Sequence, residues 1–421
     1  MKKNEILKVL KDNKKISAYE LIINDKDSRE LFYVLDHLEI SRAVKTKNVS
    51  IRIYVSDKKT TGSSLVKLTA ADDINSLKTK INKAIVQAKS ARNPYYPLAE
   101  KKNNINSTLN KEYKLNDIAL NVAKAIFKAD HYKNGWINST EIFVSKFKEE
   151  FINSNGINHI NESFKIEVEC IPTWSNTKEE FELYKFLTVN KIDYKAITKE
   201  IEEILELAKL RSEAKTIKQV KLPKDITVLV KNDMLETLVD NFAYDLSYRN
   251  VYMKSNHYEI KDVLSNNKFD LTMKASANGC ASSRKFDNHG VALSKKTLIK
   301  DGIVKNNHGD IQFGYYLKSK DITGNLPIIE IKADGINYKK EKHLIIETFS
   351  SPQLEESSGY WGGEVRLARY FDGKKYIPLT GFSISGNIYK DIKDVKFSKE
   401  ETTMSNYSGP KYMIFKGIKI S

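Results

Sequence analysis

At 421 residues, with 40% hydrophobic and 10% aromatic side chains, the chain can bury a sizeable core in two or three domains, which excludes disorder over most of its length. Its formal charge of +16 would permit a polyanionic partner. The lysines are scattered among acids, however, as in Lys178-Glu179-Glu180 and Lys399-Glu400-Glu401, and no basic cluster is interleaved with aromatics as a base-stacking platform requires.

Nucleic acid is therefore not an expected partner. Neither is a membrane, since no apolar run approaches the roughly 20 residues that cross a bilayer. Met1-Lys-Lys-Asn-Glu-Ile-Leu carries basic residues without a following apolar core, so no secretory signal is expected and the cytoplasm is the expected location. Cys170 and Cys280, the only cysteines, match no CxxC or Cys/His zinc spacing and are expected as free thiols.

In chain order, residues 4–13 read as a short helix with Ile6, Leu7 and Leu10 on one face. Strands are predicted over 19–23, 30–35, 48–55 and 63–68, from alternation and β-branched enrichment. Asp57–Gly62 is a hairpin signal in which the glycine supplies a permissive backbone. Residues 69–91 carry Ile74, Leu77, Ile81, Ala84, Ile85 and Ala88 at helical spacing, with Asp72 and Asp73 complementing the positive end.

Asn93-Pro-Tyr-Tyr-Pro97 ends that helix, and the polar stretch to about residue 110 reads as a linker. A helix over 115–129 precedes strands at 137–147, 150–153 and 164–170, with a turn at Asn153–Gly156. Residues 194–213 form another amphipathic helix, and Leu222-Pro223 opens a third segment, mostly strand and turn, that runs to Ser421. The order argues for an α+β protein. Its expected parts are an N-terminal mixed α/β region (1–100), a smaller middle region (111–215) and a β-rich C-terminal domain (222–421).

The chemistry has few sequence signals. No GxxxxGK[ST], GxGxxG or GxSxG is present. None of the seven histidines pairs with another at HExxH spacing. His289 and His308 both sit in Asn-His-Gly turns; they could meet across a hairpin and share a metal with Asp287 or Asp310, although such sequences also simply make turns.

Several segments together resemble the TldD/PmbA family. They are Phe286–Lys305, Ser358-Gly-Tyr-Trp-Gly-Gly363, Arg369–Pro378 and Phe382-Ser-Ile-Ser-Gly-Asn-Ile388, with Phe151–Ile157 and Asn48–Val55 further upstream. The resemblance implies a barrel-like C-terminal domain and a dimer. In that family the TldD type is a zinc peptidase with an HExxxH helix and a downstream cysteine ligand, acting on peptides in an internal cavity. The TldE/PmbA type lacks the ligands and accompanies the catalytic subunit.

The matching helix here is Asp233–Leu246, in which Leu235 and Asp240 stand at the two histidine positions and only Glu236 remains. No cysteine follows Cys280. The resemblance thus implies an accessory, TldE/PmbA-like chain in proteolysis or peptide maturation. It would form a homodimer, or a heterodimer with a TldD-like catalytic subunit, and meet unstructured peptides. No cofactor is expected, zinc belonging to the catalytic members, and Glu236 is the one weak catalytic candidate. Two alternatives stand beside this: an active peptidase with a non-standard metal site at His289 and His308, and a nucleic-acid-associated, gyrase-modulator-like protein.

Overall fold

The computed structural model describes residues 1–176 and 178–421. After helix α1 (Lys3–Asp12), strand β1 (Ala18–Val34) turns directly into β2 (His37–Ser56), and the two pair antiparallel over their length. The sequence predicts a break in β1 at the polar run Asn24–Arg29; the strand instead runs straight through. Cross-strand pairing explains this: Asp25 and Asp27 reach Lys47 and Lys45 on β2 at 3.8 and 3.3 Å. On its other side β1 pairs with β4 (Gly135–Asn153), so backbone bonds hold it from both edges.

β3 (Thr60–Leu68) pairs with β2, and β5 (Asn158–Ser175) pairs with β4. With short segments at 92–94, 106–107, 180–182 and 185–189 they form one nine-stranded sheet. Strands from residues 1–100 and from 111–215 thus share continuous backbone hydrogen bonding. Helix α2 (Ile74–Ser90), capped by the Asp73 carboxylate on the Ser76 amide at 2.8 Å, covers one end of a sheet face. α3 (Leu115–Lys128) and α4 (Tyr194–Ser212) cover the other.

Gly62 has a different role from the one its position suggests. The 57–60 turn is closed by Asp57 accepting from the Lys59 and Thr60 amides, whereas Gly62 lies within β3. A Cβ there would stand 1.7 Å from the Ala88 carbonyl oxygen, so this glycine lets α2 lie close on the sheet.

The C-terminal part has a ten-stranded and a six-stranded sheet, and neither closes into a barrel. Each keeps open edges: 215–216, 396–397, 353–354 and 419–420 in the branched larger sheet, and 303–304 and 401–403 in the smaller. Both contribute side chains to one apolar core, with Leu344, Ile346, Trp361 and Phe415 from the larger and Leu271, Ile329 and Ile331 from the smaller. The barrel-like expectation is thereby refined to two open sheets on a shared core. Strand outweighs helix, at 42% against 22%, and the fold is α+β.

The N-terminal sheet and the C-terminal part meet at the turn Phe286–Gly290. Phe286 packs on Phe151 of β4, with ring centroids 6.3 Å apart. Gly290 has φ +74°, and a Cβ on it would lie 2.2 Å from the Phe151 ring. Both the backbone conformation and the close approach demand glycine here.

Candidate functional site

Helix α5 (Asn232–Asp245) follows a buried strand, Thr227–Val230. Met234, Leu235, Leu238, Val239 and Phe242 form its inner face, inside the apolar core between the sheets. Full burial of each such side chain stabilises the fold by roughly 1.5–3 kcal/mol, so packing alone accounts for the helix. Asp233 in the first turn favours its positive end. Lys231 just before it and Arg369 both contact Glu347, whose side chain is fully buried; Arg369 Nε lies 2.6 Å from Oε1. Burial opposes ionisation of Glu347, yet the two cations outweigh it and hold the carboxyl below its ordinary range.

The outer face carries Glu236, Asp240 and Tyr244 at steps of four, flanked by Thr237 and Asn241. With Leu354 and Glu356 these residues line a cleft of about 230 Å³. Burial pushes the Glu236 carboxyl above its ordinary value; Asp233 and Asp240 add to this, and a hydrogen bond with Asn406 offsets part of it. Asp240 is shifted upward by burial and by Glu356. Among the described residues, no Lys, Arg or His forms an ion pair with Glu236, Asp240 or Glu356. Asn241 is 3% exposed; its Nδ2 donates to Tyr389 Oη at 3.2 Å, while its Oδ1 has no hydrogen-bond partner.

The far end of α5 is tied down by Asp245. Its Oδ1 accepts from the His257 amide at 2.8 Å and lies 2.8 Å from His257 Nδ1, and its Oδ2 accepts from the Tyr258 amide. The His257 ring stacks on Tyr389 with centroids 3.9 Å apart. This connects the helix end to the same Tyr389 that bonds Asn241.

The structure separates two of the positions that the resemblance brings together. Leu235 is 0% exposed and points into the core, whereas Asp240 stands on the outer stripe. Leu235 has no donor atom to offer and is closed into the core, so the two positions do not form a ligand pair here. Glu236 and Asp240 are the pair that share the cleft. Cys280 is buried; its thiol lies 3.5 Å from the Tyr407 carbonyl, pushed up by burial, with Lys274 opposing and Glu236 adding to the shift. Cys170 and Cys280 are both unbridged.

His289 and His308 serve different contacts. His289 Nδ1 lies 3.2 Å from Glu20 Oε1 and 3.2 Å from the Arg52 guanidinium. His308 Nε2 donates to the Ala243 carbonyl at 2.8 Å, behind α5, and burial pushes this ring's pKa down. Asp287 accepts from the His289, Val291 and Asn325 amides, and Asp310 caps the helix at 311–316. Among the described residues, no group of three or more His, Cys, Asp or Glu is placed to hold a metal ion. The donors at α5 are carboxylates and an amide oxygen, with leucine in the core at one family ligand position. This set does not fit zinc held by imidazole and thiolate.

A larger groove, about 490 Å³, crosses the helix-bearing face of the N-terminal sheet. Six lysines line it, but Lys45, Lys47 and Lys148 pair with Asp27, Asp25 and Glu162, and it shares no residue with the α5 cleft.

Two open β-sheets around a shared core, with a cleft on the outer face of the helix packed into it, form the C-terminal half of an α+β fold. Residues 223–421 match the PmbA/TldA metallopeptidase C-terminal domain, so this part of the chain carries the domain of the TldD/PmbA family. Its fold is similar to that of TldE from Thermococcus kodakarensis, at TM-score 0.79 and 15% identity over 99% of this chain and 100% of that one. It is similar also to a proposed modulator of a DNA gyrase from Thermotoga maritima, at TM-score 0.78 and 14% identity over 100% and 99%. A third such protein, from Bacteroides thetaiotaomicron, gives TM-score 0.75 and 14% identity over 99% and 96%. Comparison with curated proteins gave no match.

Sequence reasoning placed Glu236 and Asp240 on this helix and missed Asn241, Tyr244, Leu354 and Glu356. The spacing Glu236, Asp240, Tyr244 is itself a readable outer stripe. Leu354 and Glu356 arrive from more than 100 residues away in sequence and carry no local signal.

Proposed function

We propose that this chain is a TldE/PmbA-like accessory subunit in proteolysis or peptide maturation, without hydrolytic activity of its own. One observation carries the reading: the helix at the family's motif position presents Glu236 and Asp240 to its cleft and no imidazole or thiolate. Hydrolysis at neutral pH requires a polarised water or an activated nucleophile, and a lone carboxylate pair supplies neither. In this reading the chain pairs with itself or with a TldD-like subunit bearing HExxxH, and it meets unstructured peptides at the α5 cleft. The buried, unbridged thiols support a reducing, cytoplasmic setting.

The test is reconstitution. The chain and an HExxxH-bearing TldD-like protein from the same source are purified singly and together, then sized and assayed on an unstructured peptide. A stable mixed complex, active only when the HExxxH partner is present, is the expected result. Equal activity from this chain alone would refute the accessory role.

A further inference from the structure

We infer that His257 is a pH-operated latch on the wall of the α5 cleft. Protonated, it holds the turn at 355–359 against the end of the helix; on losing its proton it releases that turn. The inference rests on the reading that peptides meet this cleft, and it names how the same site is regulated.

The argument begins with what each ring nitrogen faces. His257 Nδ1 lies 2.8 Å from Asp245 Oδ1, and Nε2 lies 3.0 Å from the Ser357 carbonyl oxygen. Asp245 is 3% exposed, and its two oxygens also accept from the His257 and Tyr258 amides, so it stands there as a carboxylate. A carbonyl oxygen can only accept. Both nitrogens therefore face acceptors, whereas a neutral imidazole carries a single N–H. Only the imidazolium satisfies both contacts at once.

The second observation is a pair of stacked rings. The His257 ring lies on that of Tyr389, with centroids 3.9 Å apart and planes 23° from parallel. Tyr389 Oη donates to the Glu356 carbonyl at 2.5 Å and His257 to that of Ser357, so the stack holds two successive carbonyls of one turn. Leu354 and Glu356 line the cleft, and Tyr389 Oη accepts from Asn241 of α5. A shift of this turn therefore changes the cleft wall. The ends of the turn are fixed separately, by the Glu355 amide on the Tyr360 carbonyl at 2.8 Å and by Asn387 Nδ2 on that of Ser358 at 2.7 Å.

Loss of one proton reverses one contact. The charged Asp245 is the stronger acceptor, so the remaining proton stays on Nδ1. Nε2 then turns a lone pair toward the Ser357 carbonyl, and attraction becomes repulsion. The latched form holds one more proton, so acid favours it and rising pH opens it.

The surrounding groups leave this switch to His257. Asp245 faces the ring from α5 and Tyr389 from the short helix at 388–391; Glu355 and Glu356 sit on the turn, and Glu259 and Asp262 on the loop that follows His257. Burial pushes the Tyr389 hydroxyl above its ordinary value; the bond from Asn241 opposes this, and Asp245, Glu356 and Tyr244 add to it, so the phenol stays neutral. Histidine is the side-chain type that changes charge between about pH 5 and 8. The His257 side chain is 33% exposed, so protons reach it from solvent.

The experiment uses the full chain, isotope-labelled in histidine, and follows the ring nitrogens by NMR from about pH 5 to 9, with His257→Gln assigning the signal. Over the same range, hydrogen exchange of the Glu355, Gly359 and Tyr360 amides is measured and corrected for the intrinsic pH dependence of exchange. At low pH both His257 nitrogens are expected to carry protons. As pH rises, protection of the turn should fall about fivefold, the effect of losing one hydrogen bond, with the same midpoint as the His257 titration. His257→Gln should remove this pH dependence. If that variant does not fold, agreement or disagreement of the two wild-type midpoints decides alone.

Unchanged protection overturns the proposal, as does a midpoint that differs from that of His257, a pH dependence that survives His257→Gln, or loss of the Nδ1 proton first. The accessory role is read separately, in complex formation. A failed latch in a chain that still forms its mixed complex removes this inference alone, and a working latch in a chain that forms none removes only the accessory role.

Discussion

Two polar sites of the molecule handle carboxylates in opposite ways. At the junction of the N-terminal sheet with the C-terminal part, Glu20 is 0% exposed and closed on all sides. It accepts from Tyr54 Oη at 3.0 Å and faces Arg52 at 3.5 Å and His289 at 3.2 Å. At α5, Glu236, Asp240 and Glu356 share a cleft and have no basic partner. The first arrangement is complete as it stands, and its work is to hold two parts of the chain together. The second is incomplete. Glu20 and Glu347 are buried and paired, whereas Asp240 and Glu356 are exposed to solvent and have no basic partner among the described residues.

The comparison can be broken most sharply on the paired side. Glu347→Ala leaves Lys231 and Arg369 buried without their carboxylate, and should cost about 3–5 kcal/mol in chemical denaturation. A loss below 1 kcal/mol would show that the triad is not closed as described. Glu20→Gln should cost about 2 kcal/mol through its weakened charged hydrogen bonds. It should also change the pH dependence of stability.

Burial works against the charged form of His289, but the hydrogen bond and charge of Glu20 raise its pKa above the ordinary 6.5. A raised histidine contributes stability that is fully present below about pH 6.5 and is lost as pH climbs through the folded value. The gap between wild type and Glu20→Gln should therefore be wider at pH 6 than at pH 9. Equal gaps would contradict the pairing.

On the open side the expected effect is smaller and of opposite sign. The Glu236 carboxyl is raised above 4.5 by burial and its acidic neighbours, so it favours the folded state only when protonated. Its stability contribution is lost as pH rises through that raised value. Glu236→Gln should then stabilise the chain at pH 7 by roughly 0.5 kcal/mol, with the gain fading below about pH 4, as followed by thermal melts. Destabilisation at pH 7 would mean that the Asn406 hydrogen bond outweighs the burial and the acidic neighbours.

Much of this was legible in the sequence where periodicity and burial agree. The stripes of α2, α3 and α4, and the apolar face of α5, follow from spacing alone because each packs on a sheet with one side only. The strands were legible in their apolar ends but not in their middles. In β1 the run Asn24–Arg29 resembles a loop, and backbone pairing with β2 and β4, together with ion pairs to β2, keeps it extended.

At the site, Glu236 and Asp240 could be placed on the right helix. Their shared face depended on which stripe the core selects, and the core took Leu235. Asn241 looked like an ordinary polar helix residue; that it is buried, with its amide nitrogen on Tyr389 and its Oδ1 unpartnered, is visible only in the tertiary structure. Glu356 is brought in by tertiary structure, which local spacing does not encode.

The central claim is that α5 carries the family scaffold without its metal chemistry. The most direct measurement is zinc content together with hydrolysis of an unstructured peptide, made on the purified full chain by itself. The account predicts far less than one zinc per chain after mild dialysis, and no hydrolysis when zinc is added back. One zinc per chain, with hydrolysis that Glu236→Gln abolishes, would contradict it.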